Sequence, residues 1–331
     1  MSIIENAANA GGGNRRRSMD RLRARQQSPN RQPSAPMGPP KRTRKDSGSF
    51  LGEAVSGEFT LDEDLMAEQG FYTPSHKPKR LALELRAIKR RLMRRLDFSR
   101  HGTTRLAAGE RQHNTVLLTS TRPAEGKTFA AINLALSLAI EDGVNVLLVD
   151  ADVPRPKVFD HFGLTAGAGL TDLISDPGLD ISKMIIKEKS TPLALLSQGT
   201  AEQSPNELFS RQEMADFIRE LSLRYPDRII IFDAPPVLAT PEAVTIAHYV
   251  DEIAFVVEAN GTPEPAVATA LEEVLDVNRH VSLILNRCLV PERISEYGSY
   301  EEYYYKDYEQ EKKKAKRERT ANFSPEEGQT E

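Results

Sequence analysis

The segment TRPAEGKTF places Gly126, Lys127 and Thr128 directly after an apolar run and at the start of a helical pattern. Backbone amides at a helix N-terminus bind phosphate oxygens, a lysine neutralises the outer phosphates, and a threonine hydroxyl coordinates magnesium. These residue types therefore suit the binding of a nucleoside triphosphate with Mg²⁺. The predicted nucleotide-binding residues are Thr121, Arg122, Pro123, Ala124, Glu125, Gly126, Lys127, Thr128 and Phe129.

The loop departs from the usual phosphate-binding pattern at two positions. The pattern begins with a glycine five residues before its GK pair, where this chain has Thr121, and Ala124 stands where another glycine is common. A strand-turn-helix junction also produces GKT by chance, so the loop alone is a moderate signal.

Acidic residues at the ends of two other apolar runs strengthen that signal. VLLVDAD ends with Asp150 and Asp152, and IIIFDAPP contains Asp233. Ligands of open parallel sheets bind beyond the carboxyl ends of the strands, so these carboxylates are expected beside the phosphate loop. Magnesium prefers oxygen ligands and shares them with substrate phosphates. A carboxylate that merely caps a helix is the alternative at each position.

The catalytic assignments follow from phosphoryl transfer, which depends on positioning and charge neutralisation. We expect Lys127 to bind the transferring phosphate and Asp152 to accept the proton of the attacking nucleophile. The metal ligands are expected to be Thr128, Asp150 and Asp233. Arg155 is expected to supply a cation near the acceptor or to hold a neighbouring carboxylate.

The elements that position these residues are short apolar runs alternating with helical stretches from about residue 115. The runs are TVLLTS, NVLLVD, LALLSQ, RIIIFD, EIAFVVEA and VSLILN. Continuous apolar strands separated by helices predict an α/β fold, with a P-loop NTPase-like, doubly wound, mostly parallel sheet and helices on both faces. We expect a basic disordered arm over 1–58, a helical segment over 59–100, the catalytic domain over 101–292 and a flexible tail over 293–331.

Charge and composition exclude several classes of protein. The first fifty residues carry eleven basic and three acidic side chains, whereas the whole chain has a net charge of −4. The remainder is therefore acidic, unlike a nucleic-acid-binding domain, and no nucleic-acid partner is expected. The single cysteine, Cys288, excludes an internal disulfide. No apolar run approaches the roughly 20 residues that span a bilayer, so we expect a cytoplasmic protein.

A second helical pattern, KRLALELRAIKRRLMRRLDF, lies before the phosphate loop. Its apolar positions recur every three or four residues, which predicts an amphipathic helix: Leu81, Leu85, Ile88, Leu92 and Leu96. The opposite face is densely basic. A membrane surface, an acidic neighbouring subunit and a solvated polar face remain alternative explanations for that charge.

The ordered segments TSTRPAEGKT, VLLVDADVPRP and IIIFDAPPV resemble the bacterial tyrosine kinases of exopolysaccharide synthesis. The helix LALELRAIKRRLM and the segment VPRP are most similar to the stand-alone autokinases associated with exosortase systems. The resemblance implies ATP and magnesium binding on a P-loop fold, tyrosine phosphorylation in a neighbouring subunit, and assembly into rings that dissociate as phosphorylation proceeds. It also implies a separate inner-membrane polysaccharide co-polymerase as activator, with peripheral membrane association through it.

The tail of this chain provides candidate acceptors for that reaction. Six of the nine tyrosines cluster near the C-terminus, namely Tyr297, Tyr300, Tyr303, Tyr304, Tyr305 and Tyr308. Each phosphate added there brings about −1.5 to −2 charges beside existing acids, which would repel the tail from an acidic site. An aromatic strand or a tail packed on the domain is the alternative. Further partners expected by resemblance are a tyrosine phosphatase and, as additional substrates, sugar-nucleotide enzymes or glycosyltransferases.

Some positions differ from the family's pattern. The arginine that commonly follows the second aspartate by two residues is Pro154 here, and the nearest arginine is Arg155. In the oligomerising helix, Arg86 and Lys89 match basic positions that the resemblance assigns to the ring interface, but Leu83 replaces a glutamate. By similarity to related ATPases, Asn286 and Arg287 are expected to contact the nucleotide base.

Other proteins of the same fold class are the alternative identities. A positioning ATPase that acts as an ATP-switched dimer carries a lysine early in the phosphate loop, where this chain has Arg122, and lacks a tyrosine cluster. An iron-sulfur carrier needs paired cysteines, and the single cysteine of this chain excludes it. A scaffold that binds ATP without transferring phosphate is the third alternative.

Overall fold

An eight-stranded sheet crosses the part of the chain that the computed structural model describes, which is residues 57–96, 113–200 and 211–288. The strands are β1 Gly57–Phe59, β2 Thr115–Ser120, β3 Asn145–Asp150, β4 Ile186–Glu188, β5 Leu193–Leu196, β6 Arg228–Asp233, β7 Glu252–Glu258 and β8 Val281–Asn286. Their order in the sheet is β1-β4-β5-β3-β6-β2-β7-β8. Residues 1–56 of the predicted basic arm and the six tail tyrosines lie outside the described residues, whereas the last two residues of the predicted arm, Gly57 and Glu58, belong to β1.

The sheet is parallel except where β4 pairs with β5. All six predicted strands are confirmed. Five are largely buried runs of apolar, often β-branched residues, whereas β8 is an edge strand in which Leu283 and Leu285 are exposed. The prediction missed β1 and β4, which have only three residues each and no continuous apolar run. Strands β3 and β6 are neighbours in register, and Asp150 stands opposite Asp233 at their carboxyl ends.

Helices cover both faces of the sheet, so the predicted doubly wound α/β fold is confirmed. They are α1 Glu63–Glu68, α2 Lys79–Arg95, α3 Lys127–Ala139, α4 Val158–His161, α5 Leu170–Ser175, α6 Arg211–Arg224, α7 Glu242–Ala247 and α8 Glu264–Val277. One apolar core lies between the sheet and helices α1 to α4. A second core lies on the opposite face beneath α5 to α8. No helix among the described residues is long and apolar enough to cross a membrane.

The segment before the phosphate loop is packed onto the helices that carry the candidate site. Phe71 stacks on Phe129 with ring centroids 5.1 Å apart and meets His161 edge-on at 5.2 Å. The Tyr72 backbone N–H donates to the Asn133 side chain in α3 at 2.7 Å. The predicted 59–100 segment is therefore joined to the same sheet through β1 and to α3 by direct contacts, and the domain boundaries themselves stay a prediction.

Helix α2 holds a correction to the expected ring interface. Lys89 is buried, and its ammonium group donates to the Ser137 carbonyl at 2.9 Å and to Glu141 at 2.7 Å. This lysine therefore joins α2 to α3 within one subunit and does not present its charge to a neighbour. Arg86, the other predicted interface residue, is half-buried.

Candidate active site

The phosphate loop lies between β2 and α3 and has a conformation that requires glycine at Gly126. This residue has a φ of 90°, and a Cβ placed on it would collide with the side-chain amide of Asn286. Glycine tolerates that left-handed conformation without steric cost. Ala124 also has a positive φ, 70°. Lys127 then begins α3, so that the first amides of the helix face the loop.

Lys127 connects the phosphate loop to carboxylates from two strands. Its Nζ lies 2.6 Å from Asp152 Oδ2 and 3.5 Å from Asp233 Oδ1. Burial alone would lower the pKa of Lys127, but the negative charges of Asp233 and Asp152 outweigh it and raise the pKa. The lysine is therefore held as a buried cation at the position where a transferring phosphate is expected.

Thr128 and the two register-paired aspartates form a cluster of oxygen atoms. The Thr128 hydroxyl donates to Asp233 Oδ2 at 2.7 Å. Asp150 Oδ2 accepts the backbone N–H groups of Lys157 and Val158 at 3.1 and 3.0 Å. Among the described residues, Asp150 Oδ1 and Asp233 Oδ1 are buried without a hydrogen-bond partner.

Both aspartates are electrostatically unfavourable as they stand. Burial, together with the neighbouring charge of Asp233, raises the pKa of Asp150 to about 8. Burial also raises the pKa of Asp233, against the opposing effects of Lys127 and Thr128. Within the described part of the chain, Asp150 Oδ1 has no donor, and Asp233 Oδ1 has only the Lys127 ammonium at 3.5 Å. Such oxygens, on a carboxylate pair beside a threonine hydroxyl, fit a divalent cation, because hard cations take such ligands.

The other predicted site residues surround this cluster at the surface. Arg122, Pro123 and Ala124 form the exposed crest of the phosphate loop, whereas the Thr121 hydroxyl is buried. Arg155 is exposed, and its backbone N–H donates to Asp152 Oδ1 at 3.2 Å. The structure therefore brings the backbone of Arg155 to the site's carboxylate.

No family model matches the chain. The tyrosine-protein kinase YwqD of Bacillus subtilis strain 168 is 31% identical over 202 residues, which are 61% of this chain and 82% of that relative. The chain belongs to the bacterial tyrosine kinases. Another relative, the tyrosine-protein kinase ptk of Acinetobacter johnsonii, is 32% identical over 144 residues, and the match covers 43% of this chain and only 19% of that longer protein.

A solved structure shares the fold of this bacterial tyrosine kinase. The kinase domain of the Escherichia coli tyrosine kinase ETK superposes with a TM-score of 0.53 at 20% identity, over 72% of this chain and 93% of that one. The match to YwqD confirms the resemblance to the bacterial tyrosine kinases, and the superposition confirms the P-loop NTPase-like fold expected from the sequence motifs.

Sequence reasoning placed Glu125 of this tyrosine kinase in the nucleotide loop but missed its structural role. The side chain is only 1% exposed. It accepts the Arg122 backbone N–H at 3.0 Å on one oxygen and the Thr262 hydroxyl on the other. The carboxylate therefore braces the phosphate loop against the turn after β7. A pairing 137 residues apart leaves no local sequence signal.

The residues predicted to contact the base lie at the end of β8. The Asn286 side-chain amide donates to the Glu125 carbonyl at 2.9 Å, directly over Gly126. Arg287 has a φ of 56° and an exposed guanidinium that pairs with Glu258 at 2.7 Å. In this bacterial tyrosine kinase, Asn286 thus contacts the phosphate loop itself, whereas Arg287 contacts Glu258 at the end of β7.

Proposed function

We propose that this chain is an ATP- and Mg²⁺-dependent protein-tyrosine autokinase that phosphorylates the C-terminal tyrosine cluster of neighbouring copies and thereby regulates exopolysaccharide synthesis or export. The observation that carries the proposal is the grouping of Lys127 with Asp150, Asp152 and Asp233 beside a phosphate loop, in a chain of the bacterial tyrosine kinase family. The buried carboxylate oxygens of this group suit a cation, and the Lys127 ammonium suits a phosphate.

Each side chain has a role that its contacts support. Thr128, Asp150 and Asp233 would hold Mg²⁺, which supplies charge neutralisation for the transferring phosphate. Lys127 is pre-positioned by two carboxylates and binds the same phosphate as a point charge. The backbone amides around Gly126 would bind the phosphates, and this position needs glycine because a side chain there would collide with Asn286.

Asp152 is the proposed acceptor of the phenol's proton. Its Oδ2 is held by Lys127 and its Oδ1 accepts the Arg155 backbone N–H, so the carboxylate has a fixed direction. A tyrosine hydroxyl has an unperturbed pKa of about 10, and its attack on phosphorus is assisted by a positioned base. Arg155 is exposed next to Asp152, where its guanidinium is available to an incoming acidic segment.

The proposed acceptors are Tyr297, Tyr300, Tyr303, Tyr304, Tyr305 and Tyr308. We further propose a cytoplasmic kinase that assembles into rings. Its activator would be an inner-membrane polysaccharide co-polymerase, and a tyrosine phosphatase would reset the tail. Sugar-nucleotide enzymes and glycosyltransferases are proposed further substrates.

Purified chain incubated with ATP and Mg²⁺, with and without candidate activators, tests the proposal by intact and peptide mass spectrometry. We expect phosphate on the tyrosines of 297–308 and none in Lys127→Met. Arg279→Gln is the matched control, because it removes an exposed positive charge away from the site and is expected to leave phosphorylation unchanged. ATP hydrolysis with an unmodified tail in the presence of the activator would replace the proposal with a switch ATPase.

A further inference from the structure

Helix α2 carries a large excess of positive charge. Its seventeen residues include eight basic side chains and one acid, Glu84. Lys89 and Arg95 are paired within the subunit, with Glu141 and Glu252 respectively, each at 2.7 Å. Three arginines are exposed and fall within an arc of about 100° around the helix: Arg90, Arg91 and Arg94. We call these three residues the α2 arginine cluster.

The α2 arginine cluster borders an apolar groove between α2 and the strands β7 and β8. Arg91 lines this groove together with Ile88, Leu92, Leu283 and Ile284. The acid in the groove, Glu252, is neutralised by Arg95 and accepts the Ser282 hydroxyl at 2.7 Å. A cation beside an apolar lining suits an aromatic ring that ends in an anion, because the guanidinium binds phosphate and the lining packs on the ring.

The tail leaves the described chain close to the same helix. Arg80, near the start of α2, donates to the Cys288 carbonyl at 3.4 Å. Arg80 and Arg91 are separated by about 16 Å of helix, and Leu283 and Cys288 by about 16 Å of strand. Helix α2 therefore runs back along β8. Tyr297 follows Cys288 by nine residues, which span up to about 30 Å when extended, so the tyrosines can return to the arginines.

We propose that the α2 arginine cluster and its groove bind the phosphorylated tyrosine segment of the tail, residues 296–311. This inference rests on the proposed function, because that function supplies the phosphate. Binding within the same chain is favoured because a short tether gives an effective concentration on the order of millimolar. The captured tail is then withheld from the active site of the neighbouring copy.

Charge favours this occupant. Residues 292–311 contain seven acids and two basic residues before any modification. Each phosphotyrosine adds about −1.5 to −2 charges and three acceptor oxygens. A lipid headgroup shares the phosphate but has no aromatic ring to pack in the apolar groove beside Arg91, so the aromatic phosphate ester fits the lining better.

Fluorescence anisotropy with two synthetic peptides tests the proposal. The peptides cover residues 296–311, one unmodified and one with phosphotyrosine at Tyr303, Tyr304 and Tyr305. The receptor is the full chain with all six tail tyrosines replaced by Phe, so that no transfer occurs during the measurement. We expect the phosphopeptide to bind at least about tenfold more tightly than the unmodified one, since each charge-assisted hydrogen bond contributes about 1.5–3 kcal/mol.

Two charge-matched triple variants of the receptor decide where the phosphopeptide binds. Arg90→Gln, Arg91→Gln and Arg94→Gln together are expected to weaken binding at least about tenfold. The control replaces three exposed basic residues elsewhere with Gln, namely Lys189, Arg219 and Arg279, and is expected to leave the affinity unchanged. Thermal melts of both variants check that the fold is retained.

Three outcomes would overturn the proposal. One is the absence of phosphopeptide binding, and another is an equal loss in both triple variants, which would indicate only net charge. The third is a loss of binding to phosphatidylserine vesicles in the arginine variant while its phosphopeptide affinity is unchanged, which would assign the cluster to a membrane. Because the peptide is phosphorylated chemically, these outcomes are independent of whether the chain transfers phosphate.

Discussion

Two buried carboxylates in this molecule, Glu188 and Asp150, have opposite surroundings. Glu188, at the end of β4, accepts hydrogen bonds from the N–H groups of Leu61, Ser190 and Thr191 and from the Ser190 hydroxyl. Although burial opposes ionisation, these donors lower its pKa. Asp150 keeps one oxygen without a partner among the described residues, and its pKa is raised to about 8 by burial and Asp233. Saturation by donors indicates a structural carboxylate, and its absence indicates one that awaits a ligand.

Replacing each carboxylate with its amide should give the largest difference between the two sites in activity and stability. Asp150→Asn is expected to reduce tyrosine phosphorylation by roughly 10²-fold or more, the scale on which removing one electrostatic group affects such a transition state. Its melting temperature should be unchanged or higher, because a neutral amide replaces a carboxyl group whose ionisation is disfavoured by burial and by Asp233. Initial rates and thermal melts measure both quantities.

Glu188→Gln is the matched variant and should do the reverse. Its NH2 group replaces one carboxylate oxygen and therefore faces either the Leu61 N–H or the Ser190 and Thr191 N–H groups, so we expect a loss of about 1–3 kcal/mol in the free energy of unfolding and a near-normal rate. A slow Glu188→Gln enzyme with normal stability would show that donor saturation does not separate the two kinds of carboxylate.

Glu125 sharpens the comparison, because it is saturated by donors and yet lies in the phosphate loop. Thr262→Val removes one donor at nearly constant shape and should weaken ATP binding about tenfold, the equivalent of roughly 1–1.5 kcal/mol. Glu125→Gln should retain more affinity than Glu125→Ala, since its amide can still accept from Arg122 N–H. Calorimetric titration with ATP measures these affinities. Wild-type affinity in all three variants would contradict the bracing role of Glu125.

Lys89 extends the comparison to a buried cation. Lys89→Met breaks the contacts with Ser137 and Glu141 and is expected to lower the free energy of unfolding by about 1–3 kcal/mol. The proposed ring, measured by light scattering, should form in this variant as in the wild type below the melting temperature. Dissociation with unchanged stability would instead return Lys89 to the ring interface.

The smallest effect is expected from a half-buried histidine. Burial lowers the pKa of His161 below its usual 6.5, with Asp160 opposing and Lys157 reinforcing the shift. The unfolded chain then binds more protons just below pH 6.5, so stability falls as the pH drops through that window. We expect His161→Asn to narrow the difference in melting temperature between about pH 7.5 and about pH 5.5. An unchanged difference would place the titration elsewhere.

The sequence predicts those parts of the fold and site whose signals are local. Gly126, Lys127 and Thr128 adjoin one apolar run, and Asp150 and Asp233 end two others, so the parallel sheet places them on one edge. Strands β1 and β4 were missed because three residues show no periodicity. The amphipathic pattern of α2 does not reveal that Lys89 is buried and donates a hydrogen bond to the Ser137 carbonyl in α3, 48 residues away. Contacts of that kind depend on packing and carry no spacing signal.

The in-register pairing of Asp150 with Asp233 also has a thermodynamic consequence. Adjacent strands are about 4.8 Å apart, so folding the empty protein places two carboxyl groups side by side and disfavours the ionisation of Asp150, whereas the unfolded chain keeps both groups separate and hydrated. A cation that binds this pair stabilises the native state by mass action. Chelation should therefore lower the melting temperature as well as the turnover, which makes heat resistance a direct gauge of metal occupancy in this kinase.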